Sequence, residues 1–197
     1  MNVKKPILTG IISLSALAPC MAQRTVQFAS ESGVAGFINN EAVYFNGVHA
    51  NLLNEKNNTD IYCGMVLDTD KNVTFETQLE NEYSWTNNLS SWIRETFHLS
   101  KYENNLTSEV APVKLNKSFK KLDTFVAPVY IAENDFKERE NYQGVGVVLN
   151  ATYNPDSNNS VKFEAEYTSE PAKNLFNTTF GKLKDNISYV ISYIHNF

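Results

Sequence analysis

Residues Asn186–Phe197 (NISYVISYIHNF) separate into two faces when read in steps of two. Phe197, His195, Tyr193, Ile191, Tyr189 and Ile187 lie on one face, which is aromatic or branched apolar apart from His195. Asn196, Ile194, Ser192, Val190, Ser188 and Asn186 lie on the other, which is small or polar apart from Ile194 and Val190. Period-two alternation is the pattern of a strand whose two sides meet different surroundings.

The pattern recurs upstream. Val73, Phe75, Thr77, Leu79, Tyr83 and Trp85 share a face, with Asn81 the one lapse, and Thr74, Glu76, Gln78, Glu80, Glu82 and Ser84 share the other. A strand of this length exceeds the usual five or six residues of soluble sheets by about a factor of two. Val145, Val147, Leu149, Ala151 and Tyr153 oppose Gly144, Gly146, Val148, Asn150 and Thr152. Val161, Phe163, Ala165 and Tyr167 oppose Lys162, Glu164, Glu166 and Thr168, after a turn-rich Asn154–Asn159. In Leu89–Leu99, Trp92, Arg94, Thr96 and His98 form the more polar side; a helix is the alternative, but gives no coherent apolar stripe. Phe125, Ala127, Val129 and Ile131 alternate with Val126, Pro128 and Tyr130, and Pro128, lacking an N–H, predicts a bulge or break there.

Ten strands are expected, at 25–38, 42–54, 59–68, 73–85, 88–99, 119–133, 142–153, 160–169, 173–181 and 186–197, or eight if residues 25–38 and one other segment fall short. Residues 100–118 then form the longest connection, on the side away from the termini, with turns 86–87 and 170–172 and residues 134–141 on the terminal side. The fold class is all-β, an antiparallel transmembrane β-barrel of 8–10 strands closed by the C-terminal strand.

Lys4 and Lys5, the uncharged apolar run Ile7–Pro19 and the small residues around Ala22 have the layout of a secretory signal peptide. The expected domains are a signal peptide over 1–22 and a barrel over 23–197. Leu17-Ala18-Pro19-Cys20 departs from a lipidation signal at Pro19. Cleavage removes two lysines and no acid from 17 basic and 22 acidic residues, leaving a net charge of −7. That balance argues against nucleic acid. It also leaves Cys63 alone, which rules out an intramolecular disulfide and suits a small apolar filler.

The closing strand, with Tyr189, Ile191, Tyr193 and Phe197 on one face, resembles the terminal strand of bacterial outer-membrane barrels. The departure is His195, where that group has an aromatic or aliphatic residue. Gly144–Tyr153 (GVGVVLNATY), Phe163–Tyr167 (FEAEY) and Glu170-Pro171 are similar to the YfaZ family of outer-membrane proteins. The resemblance implies a location in the cell outer membrane, lipid as surroundings and recognition of the C-terminal strand by the barrel-assembly machinery as a monomer. It implies no defined activity.

The expected lumen-facing polar residues are Glu76, Gln78, Glu80, Glu82, Arg94, Lys162, Glu164 and Glu166. They could line a cation-preferring pore, or pair and plug the barrel. Tyr83, Trp85, Tyr153 and Tyr167 would anchor the interfaces. No catalytic, cofactor or metal site is expected: the histidines show no ligand spacing, Asp60, Asp68, Asp70 and Asp156 form no calcium loop, and no phosphate loop is present. The expected function is thus a non-enzymatic barrel, structural or weakly channel-forming. Two alternatives stand beside it. One is a secreted or periplasmic soluble ligand binder. The other is a lipid-modifying barrel enzyme using His98 and Ser100, whose spacing resembles outer-membrane lipid A deacylases, with Glu103 or Glu109 orienting the imidazole.

Overall fold

In Val73–Thr86 every second side chain is polar and sheltered, and the residues between them, Val73, Phe75, Tyr83 and Trp85, are exposed. A strand that hides its carboxylates and shows its aromatics must have its polar side turned into an enclosed space. A closed sheet supplies that space and leaves no unpaired edge. The computed structural model describes residues 25–37, 42–68, 70–100, 104–136, 140–168 and 187–197.

Ten strands are present among them: β1 (Thr25–Phe37), β2 (Val43–Leu53), β3 (Asn57–Leu67), β4 (Val73–Thr86), β5 (Leu89–Leu99), β6 (Asn104–Phe119), β7 (Leu122–Asp135), β8 (Glu140–Tyr153), β9 (Asn159–Thr168) and β10 (Ile187–Asn196). Each pairs antiparallel with its sequence neighbours, and β10 pairs with β1, so the barrel closes. The described residues contain no helix. The expected fold class holds, with ten strands and β10 as the closing one.

The closing pair runs from Ala29 opposite Asn196 to Phe37 opposite Ser188. Residues 25–37 therefore form one strand and not two short ones. Beyond the sheet, the Phe197 amide donates to the Phe28 carbonyl at 3.0 Å, and the His195 ring meets the Phe197 ring edge-on at 5.4 Å. His195 Nδ1 lies 2.9 Å from Asn159 Oδ1, which also accepts from the Tyr193 hydroxyl. His195 thus belongs to the aromatic rim, tied to the neighbouring strand. The Asn81 lapse on the outer face of β4 is bridged as well: its amide donates to Thr59 Oγ1 at 2.8 Å.

Two expectations about connections are corrected. Residues 100–118 are not a long loop; 104–119 are β6, the longest strand. Its alternation is broken in the middle, where the register slips by one residue against both neighbours. Glu109 and Ala111 face inward before the slip and Lys114 after it, while Pro112 and Val113 both face out. The slip lies opposite Pro128, which keeps an unbroken register with β8. The bulge predicted at Pro128 is therefore carried by β6, where Pro112 and Pro128 both withhold an N–H from the same stretch of ladder.

With β6 counted, β7, β8 and β9 run opposite to the direction expected for them. The connections 54–56, 87–88, 120–121 and 154–158 lie at the end that carries the termini, and those after β5, β7 and β9 lie at the other. The strand end at Asp135 therefore lies at the far end and not the terminal end; the turn expected at 170–172 lies outside the described residues. The strand expected at 173–181 lies outside the described residues, as does the expected signal peptide.

Candidate functional site: the charged interior

Alternation sends one face of every strand inward, and those faces are of two kinds. On β5–β8, Trp92, Ala111, Ala127, Val129, Ile131 and Val148 pack into an apolar wedge with Phe125 against it. A smaller apolar group, Ala35, Val43 and Val66, closes round Phe45 and Val190 towards the far end. The charged side chains of the interior stand along the rest of the wall, chiefly on β9 and β1–β5.

Arg94 is the centre of that charged side. Its Nε and Nη2 lie 2.7 and 2.6 Å from Glu109 Oε2, and its Nη1 lies 2.8 Å from Glu164 Oε1. The guanidinium sits over the Trp92 ring, 4.7 Å from its centroid, a cation–π contact that joins charge to wedge. Asn150 donates to the second oxygen of Glu164 at 3.2 Å.

A second cluster spans the barrel seam. His49 places Nε2 at 2.6 Å from Glu31 and Nδ1 at 2.7 Å from Asp60. Each ring nitrogen thus lies within hydrogen-bond reach of a carboxyl group. Ser192 donates to Glu31, and Lys162 stands 3.4 Å from it. Strands β1, β2, β3, β9 and β10 are tied together by these few side chains. The Tyr62 ring lies against His49, centroids 4.8 Å apart, and rests on Gly47 and Gly64, where any Cβ would overlap it.

Two further groups complete the wall. Lys114 Nζ reaches Glu82 at 2.6 Å and lies 4.1 Å from the Phe125 ring centroid, while Ser90 donates to the other Glu82 oxygen. His98 places Nε2 at 3.2 Å from Glu76 and Nδ1 at 3.0 Å from Asn105.

A cavity of about 590 Å³ follows the charged side from Asn51, Asn58 and Asn154 at the terminal end to Val66 and Ser188 near the other. Eight of its lining side chains are Asp or Glu, against Arg94, Lys114 and Lys162, with His49 and His98 beside them.

All eight residues expected to face the lumen, Glu76, Gln78, Glu80, Glu82, Arg94, Lys162, Glu164 and Glu166, line this cavity. Ile191 and Tyr193 lie exposed on the outer face of β10 and Phe197 follows it, exposed; Tyr189 is half-buried and also borders the cavity, and Ser188 and Ser192 are buried on the inner face. Asp60 lies inside β3 and faces the cavity. Glu109 is held by Arg94 and does not orient His98, whose ring is buried among interior groups; Glu103 lies outside the described residues. Glu31, His49, Glu109 and Lys114 also face the interior and are not among the residues expected there. Only the inward parity of His49 with Asn51 on β2 could have signalled one of them.

The outside is the reverse. Phe28, Tyr44, Val48, Phe75, Trp85 and Val145 are each more than half exposed, while Glu109, Asn105 and Thr107 are at most 1 % exposed. Tyr83, Trp85, Phe119, Tyr153 and Tyr193 ring the terminal end, and Tyr44 and Tyr167 stand at the far end. An apolar belt with aromatic margins around a polar interior is the build of a membrane β-barrel.

The chain is similar in fold to several solved outer-membrane barrels. One is a KdgM porin in complex with disordered oligogalacturonate, at 12% identity over 88% of this chain and 99% of that chain, with a TM-score of 0.39. Another is the N-terminal β-barrel domain of Pseudomonas aeruginosa OprF, at 10% identity over 89% and 100%, TM-score 0.39. A third is the translocator domain of the autotransporter NalP from Neisseria meningitidis, at 10% identity over 97% and 96%, TM-score 0.37. At this identity the likeness describes the fold alone. No family model matches the chain. No curated protein matches it.

Proposed function

We infer that this chain is a non-enzymatic barrel of the outer membrane that passes small cations along one acid-lined side of its interior. The observation that carries the reading is the inversion of polarity: large apolar side chains outside, and inside a cavity whose eight Asp and Glu side chains outnumber its three Arg and Lys. In a low-dielectric wall such an excess favours cations and repels anions. The apolar wedge around Trp92 fills the other side of the barrel, which limits the path to small ions. The likeness of residues 144–171 to the YfaZ family, an export signal over 1–22 and assembly through β10 fit this reading.

Planar-bilayer recording of the purified full-length chain in a potassium chloride gradient tests it. Small unitary currents with a reversal potential towards the potassium equilibrium value are expected. A silent bilayer, or anion preference, would overturn the conduit.

A further inference from the structure

We propose that the conduit binds a linear oligoamine lengthwise, with its ammonium groups shared among Asp60, Glu80 and Glu166. The proposal rests on the reading of the interior as a cation path and names the class of cation that the path holds.

Asp60 and Glu80 are direct cross-strand partners, both facing the cavity. Like charges set directly opposite destabilise a sheet unless a cation stands between them. Asp60 gives one oxygen to His49, and its other oxygen, Oδ1, is buried without a hydrogen-bond partner. Glu166 lines the same cavity at 6 % exposure. Its Oε1 has no partner, and its ion pair with Arg94 is long, 3.9 Å, because that guanidinium is committed to Glu109 and Glu164. A buried carboxylate oxygen with nothing to bind is costly, and an ammonium group reaching Asp60 Oδ1 and Glu166 Oε1 supplies a donor to each. The Tyr62 hydroxyl, 4 % exposed, lining the cavity and also unpartnered, offers an acceptor beside them.

The donor is an amine and not a metal ion. No group of three or more His, Cys, Asp or Glu among the described residues could hold a metal. The acids are instead strung along the wall. Asp60 and Glu80 stand directly opposite one another, and Arg94, opposite Glu80 on β5, reaches Glu166 at 3.9 Å, a set of separations that a short polymethylene chain between ammonium groups spans. Phe45 and Tyr62 give those methylenes an apolar surface within the same cavity.

Calorimetric titration of the folded full-length chain in detergent with spermidine tests the proposal, with magnesium chloride and sodium chloride at matched ionic strength as controls. Saturable binding of about one spermidine per barrel is expected. Glu166→Gln and Asp60→Asn should each weaken it about tenfold, the loss of one good ion pair, and Glu95→Gln on the outer face of β5 should leave it unchanged. If one lumen variant fails to fold, the other decides. Heats no larger than those of magnesium, or affinity unchanged in the variants that fold, would overturn the site. Saturable spermidine binding to a barrel that passes no current keeps the amine site and removes the conduit. Current without saturable spermidine binding removes the site and keeps the conduit.

Discussion

Arg94 and Glu109 face each other across β5 and β6, and two guanidinium nitrogens reach the same carboxylate oxygen, at 2.7 and 2.6 Å. Nη1 is left for Glu164, seventy residues on, so a single side chain joins β5, β6 and β9 through the barrel. Arg94→Gln would leave Glu109 and Glu164 buried without their cation. A loss of about 3–5 kcal/mol is expected, read as a lower urea midpoint for the barrel refolded in liposomes. Arg94→Lys should not restore it, because one ammonium cannot hold both carboxylates in a fork.

Gly47 and Gly64 make the bed on which the Tyr62 ring lies. Gly64→Val should cost about 1–3 kcal/mol through the displaced ring. Gly64→Val combined with Tyr62→Ala should cost less than the sum of the single changes, and the double-mutant cycle in the same refolding assay measures that difference.

Lys120 has φ 50° in the two-residue turn between β6 and β7. A side chain there is strained and a glycine is not. Lys120→Gly should therefore raise stability by up to about 1 kcal/mol, seen as a higher melting temperature in detergent.

Asp156, in the exposed turn between β8 and β9, accepts from the Asn159 side chain at 2.8 Å and from the Asn158 and Asn159 amides at 2.9 Å. The Asn159 side chain above all, then the Asn158 amide, holds its carboxyl below the usual range. A depressed folded value means that the turn's support is complete above the ordinary carboxylate pKa and disappears as pH falls through the lower folded one. In Asn159→Ala the Asp156 titration, followed by carboxyl carbon NMR, should move up.

Phe197 caps the seam through its amide bond to Phe28 and its ring contact with His195. Deleting it should reduce the amount of folded barrel recovered from membranes while leaving refolding in detergent nearly intact. Equal loss in both settings would assign Phe197 a role in stability and not in assembly.

Much of the barrel was legible because its strands obey one rule. β4, β8, β9 and β10 alternate cleanly, so their faces, and the inward acids of β4 and β9, follow from parity alone. β6 was illegible because the rule fails inside it. The slip at Pro112–Val113 moves the inward face from odd to even positions, so no single register describes NNLTSEVAPVKLNKSF. That loss hid Glu109 and Lys114 and reversed the expected sides of later connections. His49 and Glu31 were hidden differently: β2 is apolar on both faces, since Phe45 and Val43 point into the barrel beside His49. The interior is apolar on one side and charged on the other, a division set by closure of the sheet and invisible along any single strand.

The most direct measurement is gel mobility of the outer-membrane fraction, with and without boiling. The unboiled protein should stay in that fraction through an alkaline wash and migrate faster than the boiled form, as a closed barrel resisting the detergent does. A protein released by the wash, with one mobility at both temperatures, would contradict a barrel whose exposed Phe28, Tyr44 and Trp85 lie in lipid.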